Sequence, residues 1–396
     1  MANVVEMELN DCPQMLERLK SDARTSLYTS AREHASKLTV VLKLYQLKAE
    51  GGWSDTSFTN LLSYLHDEML SKDNKLPRRL YDAKMMLKFV GLSYEKIHAC
   101  PNDCILFRKE HESLFEFLKC LASRYKENGK SPKKVLWYFP IVSRFRRLYR
   151  SEVESRNLTW HKDGRIKDTM LRHLTDSPQW KRIDSEYPNF VKDNRNLRLE
   201  LSTDRMNLFG LQSSTHSTWP VILINYSLPL WLCMKRKYLM LSLLISRLKQ
   251  PENDIDMYLA PLVEDLKILW ETSVEVYDGY KKESFNLRAL LFGTINDFLA
   301  YGNLSGYSVK GKLGCPICKD STHFVRLEHS MKNVYLGHRR WLPKGHYYRR
   351  LRKSFNRKPE EEVAPLILSS NELFEKVKDL DIKFGKPFAK HVGIGR

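Results

Sequence analysis

The sequence predicts an α+β or α/β fold, with a mixed-sheet core between a helical N-terminal region and a cysteine-bearing, strongly basic segment. Three observations carry that expectation. Leu197, Leu199 and Leu201 alternate with polar residues and run into Ser202-Thr203-Asp204, the period-two pattern of a strand with one buried face. Residues 219–226 and 238–245 are the second and third strand candidates. Ile255, Leu259, Leu262, Val263, Leu266, Leu269 and Trp270 then recur at helical spacing, with Asp254 or Asp256 as the cap.

Residues 285–295 follow as a further strand or buried segment that ends in Asn296-Asp297. The order is therefore strand, strand, strand, helix, strand, with an acid closing the first and fourth strands. RNase H-like nucleotidyl-transfer cores begin in this way. Two carboxylates at neighbouring strand ends suit hard divalent cations such as Mg²⁺ or Mn²⁺, which take oxygen ligands and stabilise the attacking and leaving oxygens of phosphoryl transfer. Strand-end aspartates also form turns and helix caps, so the spacing of Asp204 and Asp297 is weak evidence taken alone.

The flanking regions divide by composition. Residues 1–97 read as helical: Leu16, Leu19, Ala23, Leu27 and Ala31 form one stripe, and 38–47 continue it until Gly51-Gly52. Residues 98–190 hold a ribbon-like cysteine cluster and a basic linker, 191–300 the core, 301–358 a knuckle and a basic segment, and 359–396 a tail. The formal net charge of +19 favours a polyanionic partner, with nucleic acid ahead of anionic membrane. The charge is clustered. Residues 332–358 carry ten Lys/Arg and no acid, interleaved with Tyr335, Trp341, Tyr347, Tyr348 and Phe355. Lys332, Arg339, Arg340, Lys344, Arg349, Arg350, Arg352 and Lys353 are the candidate phosphate contacts there. Residues 130–150 carry seven Lys/Arg without an acid, together with Trp137, Tyr138, Phe139, Phe145 and Tyr149. That stretch reads either as a nucleic-acid contact or as a solvated helix face whose aromatics point inward.

The seven cysteines are odd in number, which argues against a secreted disulfide framework and for reduced thiols or metal sites. Cys315-Pro-Ile-Cys318 is a C-x-x-C knuckle for zinc, with His338 and His346 as its expected partners. His98-Ala99-Cys100-Pro-Asn-Asp-Cys104, with Cys120 later, resembles a zinc ribbon that lacks one ligand. No apolar run reaches the roughly 20 residues of a membrane-spanning helix, and residues 1–14 have no secretory pattern, so an intracellular protein is expected. No G-x-S-x-G elbow and no phosphate loop occurs, so serine nucleophilic and ATP-driven chemistry are not expected.

Long phrases then carry a resemblance. LPRRLYDAK (76–84), YEKIHACPNDC (94–104), RNLRLELSTDRMNLFG (195–210), WPVILINYSLPLWLCMK (219–235), NDIDMYLAPLVEDLKILW (253–270), TINDFLAYGNLSGYSVKGKLGCPIC (294–318) and YLGHRRWLPKGHYYR (335–349) are similar to the transposases of plant CACTA (En/Spm-like) DNA transposons. The resemblance spans about residues 36–385. It implies an RNase H-like core with an acidic triad that cuts and joins transposon ends with divalent metal in the nucleus, in DNA recombination. It implies Asp204 as the first acid and Asp297 as the second, with Asp256 and Asp278 as alternatives for the second place. It also supports structural zinc at Cys315 and Cys318. Transposon-end DNA is the implied partner, and self-association is compatible with it.

The chain departs from that family at telling places. Arg205 and Leu208 replace a glycine and a proline of the family's D-G-F-N-P-F phrase, and Phe117 stands where the first cysteine of a C-x-x-C pair is expected, leaving Cys120 alone. Leu230 and Leu299 also replace prolines. The family's third acid lies in a D-V-M-H-I-E-like phrase that does not occur before Arg396. On the sequence alone the expectation is thus a transposase-related, DNA-binding chain that is catalytically inactive as it stands, or a non-catalytic DNA-binding derivative of a transposase.

Overall fold

The computed structural model describes residues 20–88, 94–168, 170–204, 206, 217–247, 254–306 and 311–380. Of the expected N-terminal stripe, Leu16 and Leu19 lie outside the described residues, and the helix stops at Arg24. Leu27 and Ala31 are non-helical, yet Leu27 is still buried, because it packs from a turn. Helices α1 (Lys37–Gly51), α2 (Asp55–Tyr64) and α3 (Leu80–Lys88) follow, with Ser36 and Ser54 accepting the first-turn N–H groups of α1 and α2. Val41, Phe58, Leu62, Leu76, Leu80, Ala83 and Met86 join Leu27 in a core of their own.

The main body is mixed α and β around one mixed sheet. Its strands are β1 (Glu95–His98), β2 (Val135–Tyr138), β3 (Leu197–Thr203), β4 (Ser217–Asn225), β5 (Met240–Arg247) and, after a separate hairpin of β6 (Val274–Asp278) and β7 (Glu283–Leu287), β8 (Ala289–Ile295). The sheet order is β1-β2-β5-β4-β3-β8. Every neighbouring pair is antiparallel except β3 and β8, which run parallel. Strands 3, 4 and 5 sit where the sequence pattern expected them. The 285–295 segment proves to be two strands broken at Arg288, whose N–H is taken by the Asn196 side chain and whose guanidinium is taken by the Trp270 carbonyl. Two outer strands come from before residue 191.

Side chains alternate across these strands. Leu136, Tyr138, Leu197, Leu199, Leu201, Val221, Leu223, Leu243 and Ile245 are buried on one face. That face is covered by α4 (Ile141–Arg150) and by α7 (Ile255–Lys267), which brings Ile255, Tyr258, Leu259 and Leu262 into the same core. Asp265 of α7 accepts from the Tyr138 hydroxyl and from the Ile141 N–H at 3.2 Å, tying β2 and the start of α4 to the helix. Between α4 and β3 the chain forms α5 (Glu152–Leu158) and α6 (Pro178–Glu186).

Beside α6 the ring of His161 is buried against Trp180, at 5.6 Å between centroids. Burial, reinforced by the Arg198 charge, pushes the His161 pKa down to about 3 from 6.5. The buried His173 is lowered too, again chiefly by burial. A histidine held neutral when folded takes up its proton only on unfolding, so its stabilisation is complete above its unfolded pKa and lost as pH falls. Stability is therefore expected to decline from about pH 6.5 downward, by about 1.4 kcal/mol per pH unit for His161. Urea midpoints measured between pH 7.5 and 4.5 check this. A flat profile would mean that the folded protein accommodates the charged ring.

Candidate functional site

β3 and β8 run parallel, and the two expected acids each follow the same end of these neighbouring strands. Leu201 aligns with Thr294 and Ser202 with Ile295, and the same register continued two residues sets Asp204 opposite Asp297. Adjacent strands lie about 4.8 Å apart, so the two acids follow neighbouring strand ends. Both residues are exposed. Asp297 also caps α8 (Phe298–Leu304), one oxygen accepting the Ala300 N–H at 2.6 Å, which fixes the orientation of its carboxylate. Arg205, beside Asp204, lies outside the described residues.

The alternatives for the second acid separate clearly. Arg288, at the start of β8, reaches the carbonyl of Trp270 beyond the C-terminal end of α7. The end of α7 therefore lies by the start of β8, and Asp256 belongs to the first turn of that helix. Burial and the neighbouring Asp254 charge raise the Asp256 pKa. Asp278 is at the other end of β3 from Asp204. It is 1 % exposed and bonded to Ser155 Oγ, the Tyr280 and Lys281 N–H groups and Arg195, which lies two residues before β3 begins. Despite burial these donors hold its pKa below the usual carboxylate value. Its oxygens are committed to structure, and it does not belong with Asp204.

The cysteines regroup. Cys100, Cys104 and Cys120 are buried, with their sulfurs all within 4.8 Å of one another and Cys100 to Cys120 at 3.4 Å. A tetrahedral zinc with bonds near 2.3 Å holds its sulfurs about 3.8 Å apart, so this donor set could hold such a metal. Burial raises the Cys100 thiol. Cys120 is buried as well, yet the Ala122 N–H and the other two thiols bring its pKa below the ordinary value. The knuckle is different. Cys315 and Cys318 are half-buried, the Cys318 N–H reaching Cys315 Sγ at 3.4 Å. His338 is exposed in a 3-10 turn, and the His346 ring accepts the Tyr348 N–H at 3.2 Å as a helix cap. Neither histidine joins the pair: among the described residues the cluster at Cys100 is the one group with the spacing to ligate a metal.

The basic segment 332–358 divides in two. Arg339, Arg340 and Arg349 are buried. Arg349 donates to the carbonyls of Arg340, Leu342 and Glu362 at 2.9, 3.1 and 2.7 Å, and Arg339 to those of Leu351 and Lys358 at 2.9 and 3.1 Å. Arg340 donates to the Ser321 carbonyl at 2.7 Å. These three guanidinium groups stand in for secondary structure in a segment that has little. Lys332, Lys344, Arg350, Arg352 and Lys353 are exposed, beside Tyr347 and Tyr348.

The model of the transposase family tnp2 matches residues 168–380, which takes in β3 to β8, both strand-end acids, the knuckle and the basic segment. The chain belongs to the transposase family tnp2. No curated protein matches it. The tnp2 match begins after the Cys100 cluster, so the thiol site and the outer strands β1 and β2 are features of this chain beyond the matched region. Among the described residues no helix is long and apolar enough to cross a membrane.

Proposed function

We propose that this chain is a DNA-handling transposase of the CACTA (En/Spm-like) type. Its six-stranded sheet is then an RNase H-like core, and Asp204 and Asp297 are the first two acids of a divalent-metal site. One observation supports the reading: β3 and β8 pair in parallel up to Ser202 and Ile295, two residues before Asp204 and Asp297. The topology supports it, because β3, β4 and β5 form an antiparallel run, α7 crosses over, and β8 returns parallel on the free side of β3.

Asp204 and Asp297 would hold Mg²⁺ or Mn²⁺, with Asp256 of α7 the remaining alternative for the second place. Bound there, the cations would stabilise the attacking and leaving oxygens of strand transfer. The protein's own contribution is rigidity. The cap to Ala300 fixes Asp297, and the parallel ladder fixes the separation of the two strand ends. The Cys100, Cys104 and Cys120 thiols would hold structural zinc, and the exposed cations of 332–358 would meet the phosphates of transposon ends. Such a protein acts in the nucleus.

Mn²⁺ binding followed by electron paramagnetic resonance tests the acid pair. Asp204→Asn and Asp297→Asn are each expected to weaken binding at least about tenfold. Asparagine keeps the cap at position 297, so the fold survives. Wild-type affinity in both variants would overturn the assignment. Cleavage of a labelled transposon end that Asp204→Asn abolishes would then separate a working catalyst from a non-catalytic DNA-binding derivative.

A further inference from the structure

The second face of the sheet carries an aromatic platform beside the acidic end. At β1 and β2 the side chains that alternate with buried Ile97, Leu136 and Tyr138 point away from α4 and α7. They are Lys96, Trp137 and, just past β2, Phe139, joined by Tyr94 immediately before β1. Tyr94 lies 4.9 Å from Trp137 and 5.9 Å from Phe139 between ring centroids. Lys96 is the cross-strand partner of Trp137, with Nζ 4.6 Å above its ring. The Arg144 guanidinium lies 5.3 Å from the Phe139 centroid, anchored on the Leu241 carbonyl at 2.6 Å. Tyr94 is 46 % exposed, and no carboxylate pairs with Lys96 or Arg144 among the described residues.

The platform is in line with Asp204. Trp137 aligns with Leu244 and Leu244 with Pro220, while Thr203 aligns with Val221 and Met206 bridges Thr218. The register between those last two pairs puts Asp204 beside Pro220. One row thus crosses the sheet from Trp137 through Leu244 and the buried Pro220 to Asp204, so the platform sits roughly 14 Å, three strand spacings, from that acid. The buried aromatics of the 130–150 stretch, Tyr138, Phe145 and Tyr149, belong to the core. The outward ones have no such duty.

Three rings with cations over them, unopposed by acid, match the chemistry of unpaired nucleic acid, whose bases stack on aromatic faces while its phosphates meet Lys and Arg. We propose that this face binds a single DNA strand, its bases stacked on Tyr94, Trp137 and Phe139 and its backbone on Lys96 and Arg144. The proposal rests on the DNA-handling reading above and names the form of DNA the sheet takes.

Fluorescence anisotropy with a labelled single strand of about 15 nucleotides, and with the duplex of the same sequence, tests it. Trp137→Leu keeps an apolar side chain of substantial volume but removes the stacking face; Trp137→Phe keeps a ring. Tyr94→Ala, at an exposed position before the strand, guards against a folding defect, and thermal melting is recorded for all three. Trp137→Leu and Tyr94→Ala are expected to weaken single-strand binding roughly 5- to 100-fold with an unchanged salt slope, and Trp137→Phe by no more than about threefold. Wild-type single-strand affinity in folded Trp137→Leu and Tyr94→Ala would overturn the platform, as would an equal loss on duplex. A wild-type protein that binds neither DNA would instead defeat the DNA-handling reading itself.

Discussion

Arg349→Ala is expected to destabilise the segment 319–362 by roughly 3–5 kcal/mol, while Arg350→Ala, one residue on, leaves stability within about 0.5 kcal/mol. The difference lies in what each guanidinium touches. Arg349 is 4 % exposed and spans carbonyls on either side of it in the chain, Arg340 and Leu342 before it and Glu362 after it. Its loss leaves buried acceptors without donors, which costs far more than the bonds contributed. Arg349→Lys rescues little, because one ammonium cannot reproduce the planar fork. Urea unfolding and limited proteolysis read the effect. DNA affinity separates the other half of the segment: Arg350→Ala, Arg352→Ala and Lys353→Ala together flatten the log–log salt slope by about 2.7 while the protein stays folded. A stable Arg349→Ala protein with a slope flattened by about 0.9 would show that its charge meets DNA rather than the segment's own carbonyls.

Cys120→Ser is expected to lower bound zinc from about one equivalent to less than half and to open the 99–124 region to protease. The reason is geometric. Three thiols converge within 4.8 Å in a region held chiefly by turns, where the apolar contacts are few: Ile105, Phe107 and Phe117, with Leu114 and Ala122 at the edge. Apparent binding free energies of structural zinc, about 10–16 kcal/mol, are large beside such a core. Metal removal by chelation should reproduce the same protease pattern. Elemental analysis of Cys315→Ser supplies the comparison. Zinc content that follows Cys315 and ignores Cys120 would put the metal at the knuckle and leave the buried cluster as reduced thiols.

Much of the core was legible because β3 obeys a simple alternation, β4 and β5 are long apolar runs and α7 keeps a simple period. The short edge strands were not. β1 and β2 have four residues each, too few for a period to register, and the single polar residue Arg288 that divides β7 from β8 looks like noise inside an apolar run. The two acids were nameable, but that they follow the same end of neighbouring strands was not, since that depends on the parallel pairing of β3 with β8. The basic segment misled for a physical reason. A run of unopposed cations reads as surface, yet a guanidinium has five donors and can satisfy orphan carbonyls from inside, as Arg339 and Arg349 do. Histidine positions likewise said nothing of direction: His346 turned to its own helix rather than to Cys315.

The pairing of β3 with β8 has a consequence in time. The antiparallel run of β3, β4 and β5 is built from neighbours in the chain, but Asp204 and Asp297 are separated by about ninety residues, including α7 and the β6–β7 hairpin. Closing a loop of that length costs on the order of 4 kcal/mol in chain entropy before any contact of the pair repays it. A nascent chain is thus expected to carry a formed meander and a separated acid pair until β8 is added at the edge. In pulsed hydrogen exchange during refolding, the amides of β4 and β5 should gain protection ahead of those of β8.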